Sequence, residues 1–126
     1  MQTYGMTLLV KDDPAAIERY RYHHRNAWPE VVARLREIGV REMRIYLAGR
    51  RLFMYMEAVD GFEPGRDFPK LNVDPVYRRW DELMRSLQEP APEAGPDDWW
   101  TPIEEVFDLN WKVASEESSG GVVERG

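Results

Sequence analysis

The chain has 126 residues, of which 43% are hydrophobic and 32% charged, and its formal net charge is −6 at pH 7. Such proportions are typical of a single soluble globular domain. Acidic and basic residues are interspersed and the balance is acidic, so we expect neither nucleic acid nor a membrane as a partner. The chain has no cysteine, which excludes disulfides, zinc–thiolate sites and cysteine nucleophiles.

The first ten residues lack the features of a secretory signal, because they have no basic start and their apolar run is too short. No stretch of the sequence approaches the roughly 18 apolar residues needed to span a bilayer. Together with the lack of cysteine, these features predict a cytoplasmic protein.

The predicted elements begin with a strand and an interrupted helix. Apolar residues at positions 6, 8 and 10 alternate with their neighbours, which predicts a first strand. Asp13 and Pro14 predict a helix start, because aspartate caps the first amides and proline fits the first helical position. Pro29 interrupts this helix, since proline has no N–H to donate and clashes with the preceding turn. The helix resumes and ends at Gly39, so we expect a kinked or bipartite helix.

Two further strands and a second helix follow. Alternating apolar residues predict strands at 43–47 and 52–56, joined by a short hairpin connection. Residues 60–70 contain two glycines and two prolines and are predicted to be mostly loop. Asp74 and Pro75 repeat the cap-and-proline start, which predicts a second helix with one apolar face.

The C-terminal part is predicted to supply a last strand and a tail. Residues 89–98 are rich in proline and acidic residues and are predicted to be loop. Residues 103–113 can form the last strand. Its apolar residues are Val106, Phe107 and Leu109. We expect one domain over residues 1–113 and a disordered tail over 114–126, because the tail is small, polar and unperiodic.

The predicted order β-α-β-β-α-β is that of an α+β, ferredoxin-like fold of the dimeric α/β-barrel type. This fold packs both helices on one face of a four-stranded antiparallel sheet, so the other face is either solvated or covered by a partner. Apolar side chains are expected on both faces. They are Met43, Ile45 and Leu47 on one face, and Phe53 and Tyr55 on the other. Because two-fold homodimers are the commonest assembly, we expect a homodimer packed sheet to sheet.

Residues 20–30 gather both histidines of the chain with two tyrosines, an amide and a tryptophan. Tyr20, His24 and Trp28 are spaced by four residues and share one face of the predicted helix. A helix that only builds a core would carry leucine or valine at these positions. A phenol, an imidazole and an indole instead offer proton transfer beside a flat stacking surface, which suits a small sugar. Asn26 lies at the same edge and favours a polar over an aromatic substrate.

His24 is the first candidate for acid–base chemistry, because an unperturbed imidazole titrates at about 6.5. His23 projects about 100° further round the helix and is interpreted as a surface residue. Two adjacent histidines on a helix cannot both face one metal, and the sequence has no metal-binding spacing of histidines. We therefore expect no metal site.

Each of these side chains also has an ordinary structural interpretation. A lone histidine is as often a surface or core-edge residue as a catalytic one. Tyr20 could equally be a core tyrosine. Trp28 and Trp80 have the spacing of core residues, although their flat faces could stack on a sugar. Trp99 and Trp100 lie in a predicted loop, where closing a pocket and making a dimer contact are equal candidates.

Several segments of the chain carry a resemblance to a known family. In chain order they are Tyr20-x3-His24-x-Asn26-x-Trp28-Pro29-Glu30-Val31, residues 45–47 and 52–57, Asp74-Pro75-x4-Trp80, and residues 105–107. With these motifs and spacings, the chain resembles the L-rhamnose mutarotase family over residues 4–109. The most specific part is the His-x3-Trp-Pro-Glu segment.

The resemblance implies a dimeric ferredoxin-like enzyme that interconverts the α and β anomers of a 6-deoxy-L-hexose without a cofactor. It implies that His24 is the proton donor, that Tyr20 contacts the sugar and that Trp80 stacks near it. L-rhamnose is the first expected substrate, and L-fucose, on which some members of the family act, is the alternative. Such chemistry requires one group to take the proton of the anomeric hydroxyl and another to protonate the ring oxygen.

Two positions depart from the pattern of some rhamnose enzymes. Met43 stands where those members have a tyrosine, and Asp81 stands where they have a second tryptophan after the one that matches Trp80. Both positions border the sugar in those members, so we expect Met43 and Asp81 to help select it. Two hypotheses of other classes are a cofactor-free monooxygenase-like protein and a non-catalytic sugar-binding module, because one fold hosts many functions.

Overall fold

A computed structural model of the chain describes residues 1–111. The strands are β1 (Gln2–Val10), β2 (Val40–Ala48), β3 (Arg51–Ala58), β4 (Gln88–Glu89) and β5 (Thr101–Ile103). The helices are α1 (Pro14–Arg25), α2 (Pro29–Glu37), α3 (Pro64–Asp67) and α4 (Pro75–Leu87), with a 3-10 helix at Phe68–Val73. The predicted tail, residues 114–126, lies outside the described residues, and its disorder stays a prediction.

The first helices begin and end where the sequence indicates. The Asp13 side chain accepts a hydrogen bond from the Ala15 amide at 3.0 Å and so caps α1. α1 ends at Arg25 and α2 begins at Pro29, so the interrupted helix is bipartite. Within residues 1–111, every helix is too short or too polar to cross a membrane. The cytoplasmic location stays a prediction.

The sheet is antiparallel, with strand order β2-β3-β1-β4 and with β5 also paired to β1. β3 lies along almost the whole length of β1 on one side. β4 and β5 therefore share the other side, where β4 pairs with residues 9–10 of β1 and β5 pairs with residues 5–7. Two short strands, β4 and β5, thus occupy the position of the fourth strand of a ferredoxin-like sheet.

The predicted position of the last strand is wrong. The strand at this edge is Thr101–Ile103, and the apolar residues expected in it lie outside any strand. They are Val106, Phe107 and Leu109, which are 77%, 69% and 81% exposed. Extending the β5 register by two residues would place Glu105 beside Thr3, in a row that already carries Glu42 and Glu57. A third carboxylate in that row is unfavourable.

The segment predicted as mostly loop contains α3 and the 3-10 helix. Asp67, which is buried, organises it. Its carboxylate accepts a hydrogen bond from the Glu63 amide at 2.8 Å and pairs with Arg66 and Lys70, each at 2.9 Å. The Arg66 guanidinium, followed by the Glu63 amide, holds the pKa of Asp67 well below its usual range. These bonds form only after the segment has turned, so composition alone does not reveal them.

The helices cover one face of the sheet and leave the other open. The strand residues that are buried beneath the helices are Met6, Leu8, Val10, Leu52, Met54, Met56 and Ala58. On the open face the large apolar side chains are partly exposed, and they are Tyr46, Phe53 and Tyr55. The predicted α+β class is confirmed, and apolar side chains lie on both faces as the sequence indicates. The homodimer stays a prediction.

Candidate active site

Tyr20, His24, Trp28 and Trp80 contact one another and are termed the aromatic cluster. The rings of Tyr20 and His24 stack, with centroids 4.1 Å apart and 29° between their planes. The indole of Trp80 lies edge-on to His24 at 5.6 Å and to Trp28 at 5.2 Å. The structure therefore brings together the four aromatic side chains on which the sequence argument depends.

Three helices hold the aromatic cluster in place. α1 supplies its tyrosine and histidine, Trp28 precedes the first turn of α2, and Trp80 lies on α4. Asp74 caps α4 by accepting a hydrogen bond from the Val76 amide at 2.8 Å. The same carboxylate accepts a hydrogen bond from Arg34 Nε of α2 at 2.7 Å. The helices that carry the two tryptophans are thus tied together by one ion pair.

The hydrogen bond of His24 determines which ring nitrogen is available for chemistry. Its Nδ1 lies 3.0 Å from the Tyr20 carbonyl oxygen. A carbonyl only accepts, so Nδ1 carries the proton and donates, and in the neutral ring Nε2 keeps its lone pair. Burial lowers the pKa of His24, although the bond to the Tyr20 carbonyl opposes this effect. The ring is therefore neutral at pH 7 and can accept a proton.

Tyr20 brings a buried hydroxyl to the aromatic cluster. The residue is 4% exposed, and its hydroxyl has no hydrogen-bond partner among residues 1–111. Burial raises the pKa of Tyr20 well above its usual value, and the nearby Gln88 side chain offsets part of this effect without forming a hydrogen bond of good geometry. The phenol thus keeps its proton at neutral pH and can donate it to a bound molecule.

Three residues near the aromatic cluster were missed or left open by the sequence argument. Gln88, 4% exposed, accepts a hydrogen bond through Oε1 from Trp99 Nε1 at 2.8 Å. Trp99 and Trp100 both pack against the hydrophobic cluster that contains Tyr20. A polar residue at the end of an amphipathic helix is ordinarily exposed, so nothing in the sequence pointed to Gln88. The pair of loop tryptophans was the available signal.

The remaining predicted residues make their contacts outside the aromatic cluster. Asn26 is exposed, and its side chain donates to the Tyr22 carbonyl at 2.9 Å. Met43 lies beside Met56 of β3 and packs against buried residues that include Met6 and Met54. Asp81 pairs with Arg85 at 3.0 Å. Their predicted roles toward the sugar stay predictions.

The two histidines make different contacts, as the helix geometry predicts. His24 packs within the aromatic cluster, whereas the ring of His23 lies edge-on to Tyr22, which is exposed. In the described part of the chain, no three potential ligand side chains converge as a metal site would require.

Two surface clefts lie away from the aromatic cluster. One, of about 410 Å³, lies between α2 and the start of α4 and includes Arg34 and Lys70. The other, of about 540 Å³, lies along the edge of β1 and β5 and includes Tyr4 and Ile103. Neither cleft is lined by His24 or Tyr20. Tyr20 is buried, whereas His24 is half-buried.

Solved structures confirm the fold class. An L-rhamnose mutarotase from Formosa agariphila superposes with a TM-score of 0.63 at 20% identity, over 86% of this chain and 99% of that one. Tetracenomycin F2 cyclase from Streptomyces glaucescens superposes with a TM-score of 0.59 at 16% identity, over 90% and 99% of the two chains. At these identities the likeness shows the ferredoxin-like fold alone.

Sequence relatives define the class of enzyme. An L-fucose mutarotase from Xanthomonas campestris is 32% identical over 94% of this chain and 97% of its own length. An L-rhamnose mutarotase from Acidiphilium cryptum is 31% identical over 77% and 89%. A UPF0734 protein from Dictyostelium discoideum is 40% identical over 87% and 91%.

These relatives, together with the family match, show that the protein is an isomerase of the mutarotase class. The sequence profile of the L-rhamnose mutarotase family matches residues 3–109. The chain belongs to the L-rhamnose mutarotase family. The family resemblance inferred from the motifs is confirmed.

Proposed function

We propose that the protein interconverts the α and β anomers of a 6-deoxy-L-hexose, with Tyr20 and His24 as its catalytic residues. The observation that carries the proposal is the contact between these two side chains. A neutral imidazole with an available Nε2 stacks at 4.1 Å on a phenol whose buried hydroxyl has no partner in residues 1–111. A proton acceptor and a proton donor therefore lie side by side, which is what opening a hemiacetal requires.

In the proposed reaction, His24 Nε2 takes the proton of the anomeric hydroxyl. The electron pair of that O–H bond forms the aldehyde carbonyl while the bond between C1 and the ring oxygen breaks. Tyr20 gives its hydroxyl proton to the ring oxygen. After rotation about the C1–C2 bond, the reverse steps close the ring with the opposite configuration at C1, and both residues regain their first protonation states.

The directions of the two pKa shifts suit these roles. A lowered pKa keeps His24 neutral and ready to accept a proton, and a raised pKa keeps the proton on Tyr20 until the ring oxygen needs it. In the closing direction His24 is the proton donor, as the family resemblance implies. Trp28 and Trp80 offer flat apolar faces for the C–H side of the sugar.

L-rhamnose is the first proposed substrate, because the profile that matches residues 3–109 is that of the rhamnose family. L-fucose is the second. The L-fucose mutarotase of Xanthomonas campestris aligns over 94% of this chain, against 77% for the L-rhamnose mutarotase of Acidiphilium cryptum. Met43 and Asp81, which replace aromatic residues of some rhamnose enzymes, also favour this second candidate.

The test is anomer exchange measured by NMR saturation transfer with the purified protein. L-rhamnose, L-fucose and D-glucose are compared at equal concentrations, each against its uncatalysed rate. We expect acceleration with one or both of the 6-deoxy sugars and little with D-glucose. Binding without acceleration would mean a sugar-binding module, and neither binding nor acceleration with any sugar would refute the proposed function.

We also propose that the protein is a homodimer packed through the open face of its sheet. Phe53 is 41% exposed and Tyr46 is 56% exposed on this face. Large apolar side chains that share one face are typical of an interface. A stable interface of the obligate kind buries about 2,000 Å² or more in total.

A further inference from the structure

The buried carboxamide of Gln88 lies next to Tyr20, at the point where α4 ends. Gln88 is the first residue of β4 and pairs with Val10 of β1, so its backbone position is set by the sheet. A carboxamide at 4% exposure needs partners for both its oxygen and its nitrogen. Trp99 Nε1 donates to the oxygen at 2.8 Å. The Gln88 side chain also lies close enough to the Tyr20 hydroxyl to lower its pKa.

The bond from Trp99 determines which end of the carboxamide faces Tyr20. An indole N–H only donates, so the atom that it meets is Oε1, and Nε2 lies on the other side of the amide. Nε2 has two protons to donate. A phenol oxygen that receives one of them keeps its own proton for a different acceptor. The described residues offer no acceptor for the Tyr20 hydroxyl, so its proton is left for a bound molecule.

Trp99 is itself held by residues of α4. The Arg85 guanidinium lies over its indole, 4.6 Å from the ring centroid, which is a cation–π contact. Asp81 pairs with Arg85 Nε at 3.0 Å. A continuous series of contacts thus runs from the helix surface at Asp81 to the carboxamide beside Tyr20.

We propose that Gln88, held by Trp99, is a positioning residue that directs the Tyr20 hydroxyl proton toward the ring oxygen of the sugar. Gln88 acts through Tyr20 and does not touch the reacting atoms. The inference rests on the proposed function, because the bound sugar supplies the acceptor that Tyr20 lacks.

Gln88→Glu is the sharpest test, because it keeps the shape and still accepts from Trp99 but replaces Nε2 with an acceptor oxygen. At pH 8 the Tyr20 hydroxyl then donates to the carboxylate instead of the sugar. We expect kcat for anomer exchange to fall about tenfold to hundredfold, within the range of a general acid, with KM nearly unchanged.

The same variant should recover as the pH is lowered. Burial raises the pKa of a carboxyl group, so the new side chain regains an O–H donor in mildly acidic solution. After subtraction of the uncatalysed rate, we expect kcat of Gln88→Glu to rise between pH 8 and pH 6. A purely structural role for Gln88 would produce no such pH-dependent recovery.

A second variant and a matched control support the test. Trp99→Phe removes the N–H that orients the carboxamide and should lower kcat about threefold to tenfold, as expected for one lost neutral hydrogen bond. The neighbouring Trp100→Phe leaves that bond in place and should leave kcat unchanged. Melting temperatures of all variants identify any that fail to fold.

An unchanged kcat and pH profile in a folded Gln88→Glu variant would overturn the inference. If Gln88→Glu does not fold, an unchanged kcat in Trp99→Phe would do the same. If the wild type exchanges no sugar at all, the proposed function fails. The contact is then decided by NMR, where nuclear Overhauser effects between the Gln88 amide protons and the Tyr20 ring support it and their absence overturns it.

Discussion

The covered and open faces of the sheet both carry aromatic side chains, yet their polar atoms differ. On the open face the Tyr55 hydroxyl donates to Glu57 Oε2 at 2.5 Å. Beneath the helices the Tyr20 hydroxyl is buried and has no partner in the described part of the chain. Aromatic composition is therefore shared by a surface suited to association and a site suited to chemistry. The two faces are distinguished by whether the tyrosine hydroxyl has a hydrogen-bond partner.

The largest effect is expected from His24→Ala. The change removes the proposed proton acceptor, so anomer exchange should fall about a hundredfold to ten-thousandfold. His23→Ala is the matched control, because its ring lies beside Tyr22 and outside the aromatic cluster. NMR saturation transfer measures both variants, and exchange that survives His24→Ala would remove the acid–base role.

Tyr20→Phe tests whether the unpartnered hydroxyl serves chemistry rather than stability. We expect exchange to fall about a hundredfold. The free energy of unfolding should rise by about 1 kcal/mol, because a buried donor without a partner is removed. Tyr55→Phe, which removes a bonded hydroxyl on the open face, should leave exchange unchanged. Urea denaturation and saturation transfer together provide both readouts, and lower stability in Tyr20→Phe would contradict the comparison.

Phe53→Glu tests the role of the open face. Each new carboxylate would be buried in the proposed interface, and burying a charge without a partner costs several kcal/mol. We expect the dimer dissociation constant to rise at least about thirtyfold in sedimentation experiments. A wild-type protein that is a stable monomer at micromolar concentration would refute the dimer and this use of the open face.

The double change Met43→Tyr with Asp81→Trp tests whether these positions select the sugar. L-rhamnose and L-fucose differ in hydroxyl configuration, so aromatic and hydrogen-bonding side chains at the rim should discriminate them. We expect the ratio of exchange rates to move about tenfold toward L-rhamnose, since an unpaired buried polar group costs roughly 1–3 kcal/mol. An unchanged ratio in a folded variant would mean that selectivity lies elsewhere, with the loop that carries Trp99 as the next candidate.

The smallest effect concerns pH and stability. Burial lowers the pKa of His24 in the folded protein below the value of about 6.5 expected in the unfolded chain. Below that pH the unfolded state binds a proton that the folded state does not, so stability is lost as the pH falls from about 6.5 toward the folded pKa. His24→Phe should therefore lose less melting temperature than the wild type between pH 8 and pH 5.5. An equal loss would argue against a buried neutral imidazole.

The fold class was predictable because its signals are local. Alternating strands and the paired Asp-Pro starts of α1 and α4 can be recognised from the residues themselves. The place of the last strand was not predictable, because β1 accepts two separate short partners along one edge. The neighbouring strands determine which segment pairs with this edge of β1. The apolar run around Phe107 carries no information about those strands.

The aromatic cluster was also predictable only where its signals are local. Helical spacing placed Tyr20, His24 and Trp28 on one face, and the break at Pro29 allowed Trp28 to reach α4. Spacing cannot reveal that a hydroxyl lacks a partner or that Gln88 turns inward, since both depend on contacts between distant segments.

Residues 90–100 form a loop that connects β4 to β5. Both of these strands pair with β1, so both ends of the loop are held on the same strand. A loop anchored at both ends on one strand cannot swing as a hinged flap, because either end would have to leave the sheet. The tip of the loop can nevertheless be lengthened, because doubling the length of a loop costs only about 0.6 kcal/mol. Insertions near Asp97, which is exposed, would leave Gln88 and Thr101 in register. The fold thus provides a position where descendants of this chain, or an engineer, can add sequence without disturbing the chemistry.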